Sequence, residues 1–194
     1  MSAQQSVPAE IKTRRFVFLL LDQFSLLPFS SALDTLRIAN RFDKSPRYSW
    51  ALASENGEPV ACSNGTQIVV DMGLDEVARE DTVMVSGGLD IDRCSTKKVM
   101  NWLRREARKG ASIGGLCTGA HTLAKAGLLD GKKCTIHWEN YDSFTEEYDD
   151  VELTKAVYVI DGNRFTSAGG TSSLDLMLKL MATRDGEEIA NWVA

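Results

Sequence analysis

The residues best equipped for chemistry stand five in a row: Gly115-Leu116-Cys117-Thr118-Gly119. A glycine two positions to either side of a nucleophile marks a sharp turn, because a side chain at either place would collide. The middle residue of such a turn sits in a strained backbone conformation at the end of a strand. Here it is a cysteine, which reacts as its thiolate. A helix starting at Thr118 would point its free amides and the positive end of its dipole at the sulfur. That would favour the thiolate, or hold an anionic group such as a carboxylate. Gly87-Gly88 could add a second amide donor from an adjacent strand end, completing an oxyanion-type pocket. The competing reading is a small buried cysteine beside a glycine-rich turn. Five residues alone do not separate the two; the surrounding elements must.

His137 follows Cys134-Thr-Ile, a stretch that reads as a short strand ending at the same edge. A histidine there could accept the thiol proton or hold the acidic group of a ligand. The alternative is a hydrogen-bonded structural histidine. His121 falls one turn into the helix after the cysteine and reads as a packing residue. Cys62, Cys94 and Cys134 read as packing or surface residues. Asp34 and Glu139 are candidate orienting acids, although Asp34 could instead pair with Arg37 three residues on.

The elements around these residues alternate. Arg15 to Leu21 is a continuous apolar run, the pattern of a strand buried on both faces of a parallel sheet. Pro28 opens a helical pattern through Ala32, Leu33, Leu36 and Ala39. Tyr48–Ala53 and Thr66–Val70 read as short strands, and Asp81–Ser86 as a buried strand ended by Gly87-Gly88. A helix is expected from Ser95, its cap, to Lys109, with Gly110 as the stop. Ala111–Leu116 returns as a strand and Thr118–Ala126 follows as a helix. Trp138–Glu147 reads as a helix, with strands near Val157 and Phe165. A last helix begins near Thr171 or Ser172, whose hydroxyls suit a cap. Residues 1–13 read as a disordered lead-in. Strands alternating with helices predict an α/β domain, a mostly parallel sheet covered on both faces.

Composition narrows the function. The chain has 194 residues, 43% hydrophobic and 25% charged, which suits one globular domain. A net charge of −5 argues against a nucleic-acid surface. Lys97-Lys98, Arg104-Arg105 and Arg108-Lys109 share one helical segment and read as a solvated face. The cysteines lack paired short spacing and there are only two histidines, so no zinc site is expected. No apolar run has the roughly 18 residues of a membrane span. Residues 1–12 do not look like a signal peptide. These features suggest the cytoplasm, with reduced thiols.

Several segments together resemble a known family. They are Gly114-Gly-Leu-Cys-Thr-Gly-Ala120, Leu123-Ala-Lys-Ala-Gly-Leu-Leu-Asp-Gly131 and Thr135-Ile-His-Trp138. To these are added Phe24-Ser-Leu-Leu27, Leu36-Arg-Ile-Ala-Asn40, Val85-Ser-Gly-Gly88 and Thr166-Ser-Ala-Gly-Gly-Thr-Ser-Ser-Leu-Asp-Leu-Met177. From about Arg15 onward the chain resembles the ThiJ/PfpI group of the class I glutamine-amidotransferase-like superfamily. Within that group it is similar to the N-terminal sensor domain of GlxA-type regulators of the AraC family.

The resemblance implies a flavodoxin-like three-layer sandwich over residues 14–194, with no cofactor and no metal. It implies a dimerising, ligand-sensing domain whose effector is a small nitrogenous metabolite, an amino acid or a betaine-like amine. The expected ligand site lies between Cys117, Thr118, His137, Gly87, Gly88 and the Pro28–Ser31 segment. Pro28, Phe29 and Ser30 would line it; Phe24, Phe29 and Trp138 could offer ring faces to a cation, the alternative being that these aromatics belong to the core. DNA would be reached only through a C-terminal helix-turn-helix domain that this chain does not contain. Catalytic members carry a glutamate near the start of the first helix. Leu26-Leu-Pro-Phe-Ser-Ser31 has no acid, which argues against catalysis. Two alternatives stay open: a thiol hydrolase, amidase or glyoxalase-like enzyme using Cys117 and His137, and a redox-sensing thiol protein.

Overall fold

Arg14–Leu20 forms the strand at the heart of the molecule, β1, and its alternate residues face two different cores. Val17 and Leu19 enter one cluster of buried side chains, and Phe16, Phe18 and Leu20 the other. A strand of period two buried on both faces has no room for a polar residue, which explains the unbroken apolar run. In this computed structural model residues 12–194 are described, so all of the predicted lead-in except Lys12 and Thr13 lies outside the described residues.

The chain runs on through α1 (Leu26–Ala39), β2 (Tyr48–Ala53), β3 (Val60–Ala61), β4 (Gln67–Ile68) and β5 (Thr82–Ser86). Next come α2 (Ile91–Cys94), α3 (Lys97–Lys109), β6 (Ser112–Leu116), α4 (Gly119–Lys125) and β7 (Lys133–Cys134). Then follow α5 (Tyr141–Glu147), β8 (Glu152–Leu153), β9 (Tyr158–Asp161), β10 (Arg164–Ser167), α6 (Ser172–Asp185) and α7 (Glu187–Val193). The main sheet has the order β2-β1-β5-β6-β10-β9. Its pairings are parallel except for β9, which runs antiparallel to β10 at the edge. Side chains of α3, α4 and α5 pack on one face, and those of α1, α6 and α7 on the other. This is the flavodoxin-like three-layer arrangement. Its parallel strands end together, so β1, β5 and β6 deliver Leu21, Gly87 and Cys117 to one edge.

Several details differ from the sequence reading. The cap of α3 is Thr96, whose hydroxyl accepts from the Val99 amide at 3.2 Å. Ser95 instead donates to the Ile91 carbonyl at 2.7 Å and meets the Thr122 hydroxyl at 2.8 Å, closing the short helix α2. Gly110 does stop α3, at φ 107°, where a side chain would be strained. Thr171 stands before α6 without a side-chain cap bond, while Ser172 donates back to the Gly169 carbonyl at 2.6 Å. The expected Thr66–Val70 strand shortens to β4, paired with β3 outside the main sheet. Trp138–Asn140 is a 3-10 turn that leads into α5.

Candidate functional site

Cys117 follows β6 directly, with φ of 59°, in the left-handed region that few side chains adopt. Its amide donates to the Ser167 carbonyl at 3.0 Å, fixing the turn against β10. The flanking glycines are needed for close approach. A β-carbon on Gly115 would stand 2.6 Å from the Ala120 amide nitrogen, and one on Gly119 would collide with the Val85 carbonyl oxygen. The strand-to-helix turn read from the sequence is therefore present, and its geometry has the steric cause expected of it.

The sulfur sits in a tight box. Ser25 Oγ lies 3.7 Å from Cys117 Sγ. Gly169, at φ 93°, approaches from the other side, where a β-carbon would stand 3.1 Å from the sulfur and 3.3 Å from His137 Cδ2. Cys117 and His137 thus share one glycine as a neighbour. The cysteine is only 5% exposed. That burial pushes the thiol pKa up, against smaller opposing effects of the Ser25 hydroxyl and the Thr118 amide. The expected thiolate is not what this environment favours: loss of water outweighs the start of the seven-residue α4.

His137 Nδ1 lies 3.5 Å from Glu139 Oε2, and its ring leans on Trp138 with centroids 5.8 Å apart. Of the two candidate orienting acids, only Glu139 is here. Asp34 pairs with Arg37 at 2.6 Å on the surface of α1, as its spacing allowed. His121 is buried against Tyr148 at 5.5 Å, with Nε2 3.7 Å from Asp92 Oδ1. Its pKa is lowered, chiefly by burial. Cys62, Cys94 and Cys134 are free and buried like Cys117.

A cavity of about 750 Å³ opens beside the cysteine, lined by Ser25, Gly88, Leu89, Asp90, Ile91, Asp92, Arg93, Cys117, Thr118, His137, Glu139 and Asn140. Cys117, Thr118, His137 and Gly88 come together there as the sequence suggested. Thr118 donates its hydroxyl hydrogen bond to the Gly88 carbonyl at 2.8 Å, tying two walls. Other expected members do not line the cavity. The Gly87 amide is taken up by the Leu116 carbonyl at 3.2 Å, inside the sheet, so it supplies no oxyanion donor. Pro28 and Phe29 are turned inward by the apolar face of α1, and Phe29 meets Phe18 and Phe24 edge-on at 5.6 and 5.4 Å. Ser30 donates to the Leu27 carbonyl at 3.2 Å along its own helix. Trp138 is 68% exposed and stands outside the lining, so no aromatic box forms around a cation.

Sequence reasoning missed Ser25, Gly169 and the acidic α2 wall. The polar run Asp90-Ile-Asp-Arg93, directly after a Gly-Gly strand end, was the available signal for the wall. Asp90 holds φ of 49°, a strained conformation at the mouth of the cavity. Arg93 lies 3.2 Å from Asp22, and Asp92 is held by Lys125. Among the described residues no three His, Cys, Asp or Glu side chains gather as a metal site. Among the same residues, no helix is long and apolar enough to cross a membrane.

The chain is similar to known proteins. The family model described as the DJ-1/PfpI family matches residues 14–183. The HTH-type transcriptional regulator CdhR of Pseudomonas aeruginosa is 44% identical over 175 residues, covering 90% of this chain and 52% of the relative. The HTH-type transcriptional regulator GlxA of Rhizobium meliloti is 34% identical over 182 residues, covering 93% and 56%. The chain spans about half the length of these curated relatives. The crystal structure of an AraC family transcriptional regulator from Pseudomonas putida matches with a TM-score of 0.81 and 29% identity, over 93% of this chain and 97% of that one. A mostly parallel sheet that presents a cysteine in left-handed backbone, and a family match over nearly its whole length, give one assignment: the chain belongs to the DJ-1/PfpI family, where the relatives it resembles include helix-turn-helix transcriptional regulators.

Proposed function

We propose that the chain is the effector-sensing, dimerising part of an AraC-type transcriptional regulator of the cytoplasm. In this reading a small nitrogenous metabolite, an amino acid or a betaine-like amine, occupies the cavity beside Cys117. Asp90, Asp92 and Glu139 at its walls suit a cationic head, while Arg93 and His137 suit a carboxylate. DNA contact would belong to a helix-turn-helix region C-terminal to these residues.

The observation that carries the reading is the box around Cys117. A nucleophilic thiol needs access, a base and a depressed pKa. Cys117 is enclosed by Ser25, Gly169 and His137, and burial holds it protonated. No acid occupies the first turn of α1. In this reading the thiol is therefore part of a binding wall and the protein is not an enzyme.

The test is a thermal-shift screen against amino acids and betaines, with peptidase, amidase and glyoxalase assays on the same preparation. A stabilising ligand without turnover is expected. Turnover without a stabilising ligand would favour the thiol-enzyme alternative. Light scattering at micromolar concentration should give the mass of two chains; a monomer throughout would remove the dimer from the reading.

A further inference from the structure

At the end of the sheet opposite Cys117, a second cavity of about 490 Å³ opens under the first residues of β5 and β6. Lys12, Arg14, Arg15 and Arg184 line it, against the carboxylates of Glu80 and Asp81. The buried carboxylates of this region already have partners. Asp81 accepts from Arg15 at 3.3 Å and from the Ala78 amide at 3.0 Å. Asp185 accepts from Arg14 and from the Tyr48 hydroxyl.

Arg184 differs from its neighbours. Among the described residues it has no carboxylate partner, and its guanidinium lies over the Phe165 ring, 5.5 Å from the centroid. Burial, and then the nearby Arg14, push its pKa down, against smaller opposing effects of Tyr48 and Asp185. A half-buried guanidinium with no ion pair of its own is left with charge to satisfy. Its place in the last turn of α6 accounts for one cation through the helix dipole. It does not account for Lys12 and the first two residues of β1, Arg14 and Arg15, lining the same space. Thr13, Ala78, Thr82 and Ser112 complete the lining. A planar fork beside a second arginine suits a tetrahedral oxyanion.

We propose that this lower cavity is a second binding site, distinct from the Cys117 cavity, for a phosphate-type dianion carried on a small molecule. Arg184 grips the anion, Arg14 flanks it, and Lys12 closes the mouth.

Inorganic phosphate titrated into the whole chain, followed through backbone amide NMR signals, both measures and locates binding. Saturable shifts at Thr82, Ser112 and Arg184 are expected. Loss of one charge-assisted contact predicts affinity roughly tenfold weaker in Arg184→Gln. Lys12→Gln, at the mouth and outside every helix and strand, should weaken binding about two- to threefold without touching the fold. Cys117→Ser should bind as the unmodified chain does, which separates this site from the upper one. Shifts that do not saturate, or that persist unchanged in Arg184→Gln, would mean an adventitious ion only and overturn the proposal. A short DNA duplex should leave these amides unmoved; if it shifts them, the phosphate belongs to a nucleic-acid backbone and the small-molecule proposal falls.

Discussion

Gly169 is packed against Cys117 so closely that a β-carbon on the glycine would stand 3.1 Å from the sulfur. The backbone of the β10–α6 connection thus forms one side of the thiol's box. Its φ of 93° reserves the position for glycine on conformational grounds as well. Gly169→Ala should therefore lower stability by about 1–3 kcal/mol, from combined strain and overpacking, in a urea titration. An unchanged midpoint would mean that the connection has room to move.

The same enclosure fixes the reactivity of the thiol. Because burial raises its pKa, Cys117 is protonated at neutral pH and loses its proton only above the ordinary thiol value of about 8.5. Peptide-resolved alkylation by iodoacetamide should be slower at Cys117 than at an unhindered thiol at pH 7, and still climbing past pH 9. A rate that has levelled off by pH 7 would reveal a thiolate and contradict the box.

Gly119 lies where α4 crosses beneath the end of β5. A β-carbon there would collide with the Val85 carbonyl oxygen, which the sheet holds in place. Gly119→Ala should cost about 3 kcal/mol or more in chemical denaturation, at the severe end for a single methyl group. A loss below about 1 kcal/mol would show that helix and strand can separate cheaply.

His121 makes stability depend on pH. Its folded pKa is depressed by burial, so the unfolded chain takes up the proton first as pH falls below about 6.5. Its contribution is fully present above that value and is lost as pH drops through the window down to the folded pKa. Of the groups facing it, Glu147 and Asp92 oppose this without reversing it, Lys125 adds to it, and Tyr148 packs against the ring. Between pH 7 and 5 the melting temperature should fall more steeply in the unmodified chain than in His121→Asn. Equal slopes would place the proton uptake elsewhere.

What the sequence revealed depended on how local the physics was. The Cys117 turn was legible because its cause is local: two glycines, a strand before them and a helix after them. β1 was legible because burial on both faces leaves an unbroken apolar run. Phe29 and Trp138 were misplaced because an aromatic residue looks alike in a core and in a pocket. Only the packing of α1 against Phe18 and Phe24 decides the first, and only the outward 3-10 turn decides the second. The wall of Asp90, Asp92 and Arg93 left only a polar run after a Gly-Gly strand end as its signal, with no periodicity to mark it. A four-residue helix has too few turns to show a period.

The central claim is that Cys117 lines a binding site and performs no chemistry. It is tested most directly by calorimetric titration of the stabilising amino acid or betaine into the unmodified chain and Cys117→Ser, with turnover assayed on both. Replacing sulfur by oxygen in a wall should change the affinity by no more than about threefold, close to 0.6 kcal/mol. No turnover should appear in either protein. Turnover that disappears in Cys117→Ser, with no ligand bound by the unmodified chain, would contradict the account.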